Sequence, residues 1–217
     1  MSMLLSETQR RLLRMIFERG AESASQALSK WLGEDVRLSV VEVEQVELTA
    51  AAEVLGPPEG LVAACGMGLR GALGGQILLA FEDKAGLGLV DALLSQPVGT
   101  STGWGEIEVS AMQETTNIVG CAYLNALASH LPETFFKDRE EGEELIPTPP
   151  TFLCEFAGSL VEFAIMDQAL ELDRVLLIQT EFATSRSDLS LNGALLFIPD
   201  RTTLASLAAA LTELESH

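Results

Sequence analysis

The stretch "ILLAFEDKAGLGLVDALL" (77–94) decides how the fold is read, because it returns near the end of the chain as "LLFIPDRTTLASLAAAL" (195–211). Each copy is an apolar run, then a polar junction, then apolar positions at helical spacing, which reads as a strand running into a helix. Laid over one another, Asp83 meets Asp200, Lys84 meets Arg201 and Leu87 meets Leu204. The repeat extends to two long amphipathic segments. The stripe Leu13, Phe17, Gly20, Ala24, Leu28 superposes without gaps on Met112, Thr116, Val119, Tyr123, Leu127. Matches at both ends of a half, in the same order, predict two related halves packed about a pseudo-twofold axis.

The segments between these anchors fit an α+β chain. Residues 5–32 predict a helix stopped by Gly33. "EDVRLSVVEVEQVEL" (34–48) is rich in β-branched residues and alternates, so it predicts a long strand with a bulge near Val40 and Val41. "TAAAEVL" suggests a short helix before the "GPPEG" turn, and "LVAACGMGL" and "GGQILLAF" a hairpin. The turn residues "PVGTSTG" (97–103) join halves of about 1–96 and 104–217, which together make a single domain of 1–217. The second half opens with a helix over about 104–131. An acidic, proline-containing loop follows, then a short apolar segment and a helix in "EFAGSLVEFAIMDQAL". Two strands, "DRVLLIQTEFA" and "LNGALLFIP", meet across the polar turn "TSRSD" before the closing helix.

Composition narrows the function. Of 217 residues, 47% are hydrophobic, so the chain can bury a sizeable core. A net charge of −19 repels phosphate backbones and anionic bilayers, which argues against nucleic acid and membrane partners. Three separated cysteines (Cys65, Cys121, Cys154) and only His130 and His217 offer no zinc-ligand spacing. Arginines inside the N-terminal apolar pattern exclude a signal peptide. A reducing cytoplasm is the expected compartment.

One face does not belong to the core. In "SAMQETTNIVG" (110–120), Val109, Met112, Thr116, Val119, Tyr123 and Leu127 form the stripe expected to be buried. Ser110, Glu114 and Asn117 are spaced i, i+4, i+7 and share another face, flanked by Ile107 and Ile118. Glu and Asn on an outer face also describe an ordinary solvated helix. An interior Asn costs about 0.5 kcal/mol of helix propensity, a small sign of another purpose.

"SAMQETTNIVGCAYLNALASHL" resembles the second signature helix of the CheC/CheX/FliY family of chemotaxis phosphatases. That motif has Asp or Ser, then Glu, then Asn, and a proline further on; Ser110, Glu114 and Asn117 match it here. The likeness continues through "PPTFLCEFAGSLVEFAIM", "VLLIQTEF" and "NGALLFIPD" and is fainter in the N-terminal half. It implies a CheC-like pseudo-twofold duplication, with a mostly antiparallel sheet, two long signature helices on one face and further helices around it. It also implies hydrolysis of the phospho-aspartate of a CheY-type response regulator. Asn117 would orient the attacking water, Glu114 would contact the regulator's active-site lysine, and Ser110 would support them. The chain would need no cofactor of its own, since the Mg2+ would come with the regulator.

The sequence departs from this pattern in two places. By the repeat, Met15 stands opposite Glu114, Glu18 opposite Asn117 and Arg11 opposite Ser110, so the first half lacks an amide and its site reads as degenerate. The same helix carries Arg10, Arg11, Arg14 and Arg19, read as a solvated face balanced by Glu7, Glu18 and Glu22. The family's proline comes sooner after its Asn, so Pro147, Pro149 or Pro150 fits only if the loop 132–150 holds an insertion, "FKDREEGEEL". Other readings of the resemblance are an inactive binding module for a response regulator or a CheD-type deamidase, and a structural part of the flagellar switch. The last ranks lowest, because FliM and FliY relatives carry motor-binding segments and this chain begins in one helix and ends in another.

Overall fold

The computed structural model describes residues 4–33, 35–47, 50, 53, 56–71, 73–132, 135, 145–159, 174–184 and 190–216. Most of the expected helix in 155–170, of the "TSRSD" turn and of "FKDREEGEEL" lies outside the described residues, as does most of "TAAAEVL". The elements run α1 (Glu7–Leu32), β1 (Val36–Glu47), β2 (Leu61–Arg70), β3 (Gly75–Glu82) and α2 (Asp83–Leu93). They continue with α3 (Glu106–His130), β4 (Ile146–Pro147), β5 (Thr151–Phe156), β6 (Arg174–Thr184), β7 (Ser190–Pro199) and α4 (Arg201–Glu215).

Local chemistry sets the ends of α1. Ser6 accepts from the Gln9 N–H while the Gln9 side chain accepts from the Ser6 N–H, a reciprocal capping box. At the other end Gly33 takes a left-handed φ of 68° and returns its N–H to Ser29. The α1 stripe is buried as expected, and so is that of α3 except Val109, which is half-buried.

The described strands form one sheet in which every described pairing is antiparallel. The order is β1-β6-β7-β3-β2, with β4 and β5 pairing in turn along the outer edge of β2. Exchanging β1 with β4–β5, β6 with β2, and β7 with β3 leaves this order unchanged, so the pseudo-twofold axis runs between β3 and β7. Helices α1, α2, α3 and α4 pack on one face over Met67, Ile77, Leu79, Phe81, Leu176, Ile178 and Phe197. Val62, Leu78, Leu177 and Leu196 alternate onto the other face, where they are also buried. The long helices cross where Gly20 has no side chain: a Cβ there would stand 3.0 Å from the Tyr123 Cα.

The structure shifts one frame of the repeat by a residue. The N-cap of α2 is Glu82, whose carboxylate accepts from the Ala85 N–H, and the N-cap of α4 is Asp200, which accepts from the Thr203 N–H. Glu82, not Asp83, is therefore the counterpart of Asp200. In this frame Gly86, Leu89, Val90, Ala92 and Leu93 fall on Leu204, Leu207, Ala208, Ala210 and Leu211, all buried. For the long helices the sequence frame stands, with Leu13, Ile16, Phe17, Gly20, Ala21, Ala24 and Leu28 buried like Met112, Thr115, Thr116, Val119, Gly120, Tyr123 and Leu127.

Candidate functional site

The first strand of each half carries the same irregularity. In β1, Val41, Glu42 and Val43 span the place opposite Ile178 and Gln179, with a register shift between Val40 and Glu42, where the bulge was expected. In the second half, Thr148, Pro149 and Pro150 stand opposite Met67 and Gly68, between the pairs Leu69–Pro147 and Gly66–Thr151. Proline cannot donate to a ladder, so the strand there is broken into β4 and β5. Thr148 keeps the break in place: its N–H donates to Gly68 O (2.8 Å), and its hydroxyl accepts from the Gly68 N–H (2.9 Å).

The break opens a cleft of about 540 Å³ against α3, lined by Ser110, Gln113, Glu114, Asn117 and the segment Pro147–Pro150. The three motif residues thus share one cleft, and the prolines downstream form its far wall. Gln113 spans the cleft floor, donating from Nε2 to Pro150 O at 3.0 Å. Ser110 and Glu114 are exposed and Asn117 is half-buried. Neither the Ser110 nor the Glu114 side chain makes a hydrogen bond or ion pair among the described residues, which leaves a bare carboxylate on a rigid helix. The Asn117 Oδ1 accepts from the Cys121 thiol, one turn on, at 3.7 Å. Burial, with the Glu114 charge adding, pushes that thiol's pKa up, so it stays a proton donor. Ile107 is exposed and Ile118 is half-buried at the flanks.

Behind this face the helix is fixed. Thr115 and Thr116 are fully buried and donate to Ala111 O and Met112 O, both at 2.8 Å. The linker before α3 is anchored by Asp91, a fully buried carboxylate accepting from the N–H groups of Gly99, Thr100 and Ser101 at 2.7–2.9 Å. Burial alone would raise its pKa; the donors at Ser101, Gly99 and Thr100 outweigh that and hold it below the usual carboxylate range. Sequence reasoning did not single out Gln113, Thr148 or Asp91, whose roles rest on partners brought near only by the fold.

The corresponding cleft of the first half, about 440 Å³, lies between α1 and β1 and is lined by Glu18, Glu22, Ser25 and Arg37 among others. Met15 is exposed and is not among its lining residues. The α1 arginines are paired locally: Arg10 and Arg11 with Glu7, Arg14 with Glu18, and Arg19 with Glu22, at 2.6–3.6 Å. That is the balanced face expected. Among the described residues, no group of three or more His, Cys, Asp or Glu side chains is placed to hold a metal ion. No described helix is long and apolar enough to cross a membrane.

No protein-family model matches the chain. Among solved structures, FliY from Thermotoga maritima aligns over 97% of this chain and 99% of its own, at 15% identity and a TM-score of 0.72. The FliM middle domain from H. pylori aligns over 95% and 99%, at 14% identity and a TM-score of 0.65. A chain of the H. pylori FliG–FliM complex aligns over 94% of this chain and 100% of its own, at 14% identity and a TM-score of 0.66. The chain therefore has the fold shared by FliY and the FliM middle domain, an α+β duplication about an antiparallel sheet. That fold bears out the resemblance to the CheC/CheX/FliY family read from the sequence.

Proposed function

We propose that this chain hydrolyses the phospho-aspartate of a CheY-type response regulator, with one working site, at the cleft of Ser110, Glu114 and Asn117. One observation supports the reading most. A carboxylate without a side-chain partner among the described residues and a half-buried amide stand together on a rigid helix at an open cleft, while the equivalent positions of α1 carry Met15 and Glu18.

The chemistry suits these groups. An acyl phosphate is already activated, so the main requirement is a water held in line with phosphorus. An amide offers a donor and an acceptor at fixed positions, and Asn117 orients the water with them. The water oxygen attacks phosphorus opposite the aspartyl oxygen. The bond from phosphorus to that oxygen breaks, the regulator's carboxylate leaves with the electron pair, and the water's protons end on inorganic phosphate and solvent. Glu114 pairs with the regulator's active-site lysine and fixes the docking angle. Ser110 supports the rim. The Mg2+ arrives with the phosphorylated regulator and is part of the substrate, and both halves of the chain act as one domain.

The test is phosphate release from a phosphorylated CheY-type regulator with no addition, with the native chain and with Asn117→Ala. Acceleration by the native chain that vanishes in the variant is the expected result. The solved FliG–FliM complex shows a protein of this fold assembled with another protein, which favours a second reading: a module that binds a response regulator or a CheD-type deamidase without hydrolysis. A regulator that binds but loses phosphate no faster would leave that reading in place of the first.

A further inference from the structure

The contact between Cys121 and Asn117 has no counterpart in the other half. In the frame that superposes the long helices, Asn117 falls on Glu18 and Cys121 on Glu22. There the two positions hold carboxylates, each drawn to its own arginine. In α3 they hold an amide and a thiol joined at 3.7 Å.

We infer that Cys121 is a positioning residue for Asn117: its thiol donates to Oδ1 and so fixes the rotation of the amide that faces the cleft. This rests on the phosphatase reading of that cleft. A half-buried Asn side chain with no such contact turns about its terminal torsion, which is broad and roughly two-fold. Each turn exchanges donor and acceptor, and with them the place of the water. The thiol takes one of the two lone pairs of Oδ1 and leaves the other for a water proton, while Nδ2 stays free to donate. A thiol suits the role because it is a weak donor and does not compete with the water for the whole oxygen. Because burial and the Glu114 charge keep the sulfur protonated, the contact persists across neutral pH.

The experiment is single-turnover phosphate release from a phosphorylated CheY-type regulator by the native chain, Cys121→Ala and Cys121→Ser. It is read beside the side-chain amide resonances of Asn117 in each free protein. Cys121→Ala is expected to lower the maximal rate by roughly three- to ten-fold at unchanged half-saturating regulator concentration. It is also expected to shift the Asn117 amide pair. Cys121→Ser keeps a donor and returns the rate to within about two-fold of native. An active native chain whose Cys121→Ala variant is equally fast, or whose Asn117 resonances do not move, overturns the positioning role alone. Loss that appears as weaker regulator binding, or that serine does not rescue, overturns it as well. A native chain without activity overturns the phosphatase reading together with the role given to Cys121.

Discussion

Between α1 and β1 the molecule has a cleft of about 440 Å³ beside Glu18, Glu22 and Arg37; between α3 and Pro147–Pro150 it has one of about 540 Å³ beside Ser110, Glu114 and Asn117. In the first, β1 runs unbroken past its bulge, and Ser25 and Ser29 of α1 accept from the N–H groups of Leu38 and Val36. In the second, two prolines break the strand, and Glu114 on the facing helix has no side-chain partner among the described residues. The clefts do not differ chiefly in ion-pair strength. Exposed pairs such as Arg14–Glu18 contribute about 0–1 kcal/mol and yield readily to a partner. What differs is chemical type: a carboxylate at Glu18 only accepts, whereas the amide at Asn117 also donates. The two halves carry clefts at matching places, one walled by a continuous strand and the other by a broken one, and side-chain chemistry separates them further.

Transplanting α1 residues into α3 is the harshest way to break this comparison. Glu114→Met combined with Asn117→Glu is expected to reduce catalysed phosphate release by about a hundred-fold or more. Circular dichroism and melting temperature should stay close to native, since neither side chain packs in the core. A normal rate in that variant would mean that the chemistry lies elsewhere.

Joining the halves more tightly than the packing allows comes next. Gly20→Val places a side chain 3.0 Å from the Tyr123 Cα and 3.2 Å from its Cγ, where backbone cannot yield. We expect a loss of about 2–3 kcal/mol in urea unfolding. A variant as stable as native would show that the helices do not cross there.

The linker between the halves has its own acid sensitivity. In the unfolded chain the Asp91 carboxyl titrates near the ordinary ~3.9, and in the fold it titrates lower. Its contribution is therefore whole above about pH 4 and is lost as pH falls through the folded value. Asp91→Asn should cost about 2 kcal/mol at pH 7. The gap between native and variant melting temperatures should narrow as the pH drops below 4. A gap that stays constant with pH would contradict the assignment.

The smallest effect concerns Tyr123, which occupies the place of Ala24 in the other half. Its hydroxyl is buried beside the Thr180 side chain but makes no hydrogen bond of good geometry among the described residues; the buried Thr180 hydroxyl donates to Ile178 O. Tyr123→Phe should be neutral or stabilising by up to about 1 kcal/mol, because it removes an unsatisfied buried polar group and keeps the ring contact with Phe17. A clear loss of stability would reveal a partner for that oxygen.

Much of this was legible in the sequence where the signal is periodic. The stripes of both long helices, the Gly33 stop and the bulge near Val40 and Val41 follow from local spacing and backbone preference. The face shared by Ser110, Glu114 and Asn117 follows from helical geometry. What was not legible depends on register and distance. Asp83 matches Asp200 in type, yet the cap of α2 falls on Glu82, because a cap is fixed by where helical dihedrals begin. The apolar segment before Glu155 became, together with Glu155 and Phe156 from the start of the expected helix, an edge strand on β2, and local spacing cannot announce its partner in another half. The prolines at 147–150 were seen as downstream matches, but only the pairing of β4 and β5 along β2 puts them across the cleft from Asn117.

The most direct measurement is catalysed phosphate release by two single variants side by side, Asn117→Ala and Glu18→Ala. If only the C-terminal cleft works, the first loses the acceleration and the second keeps the native rate. Equal loss in both, or loss in Glu18→Ala alone, would contradict the assignment of one working site to α3.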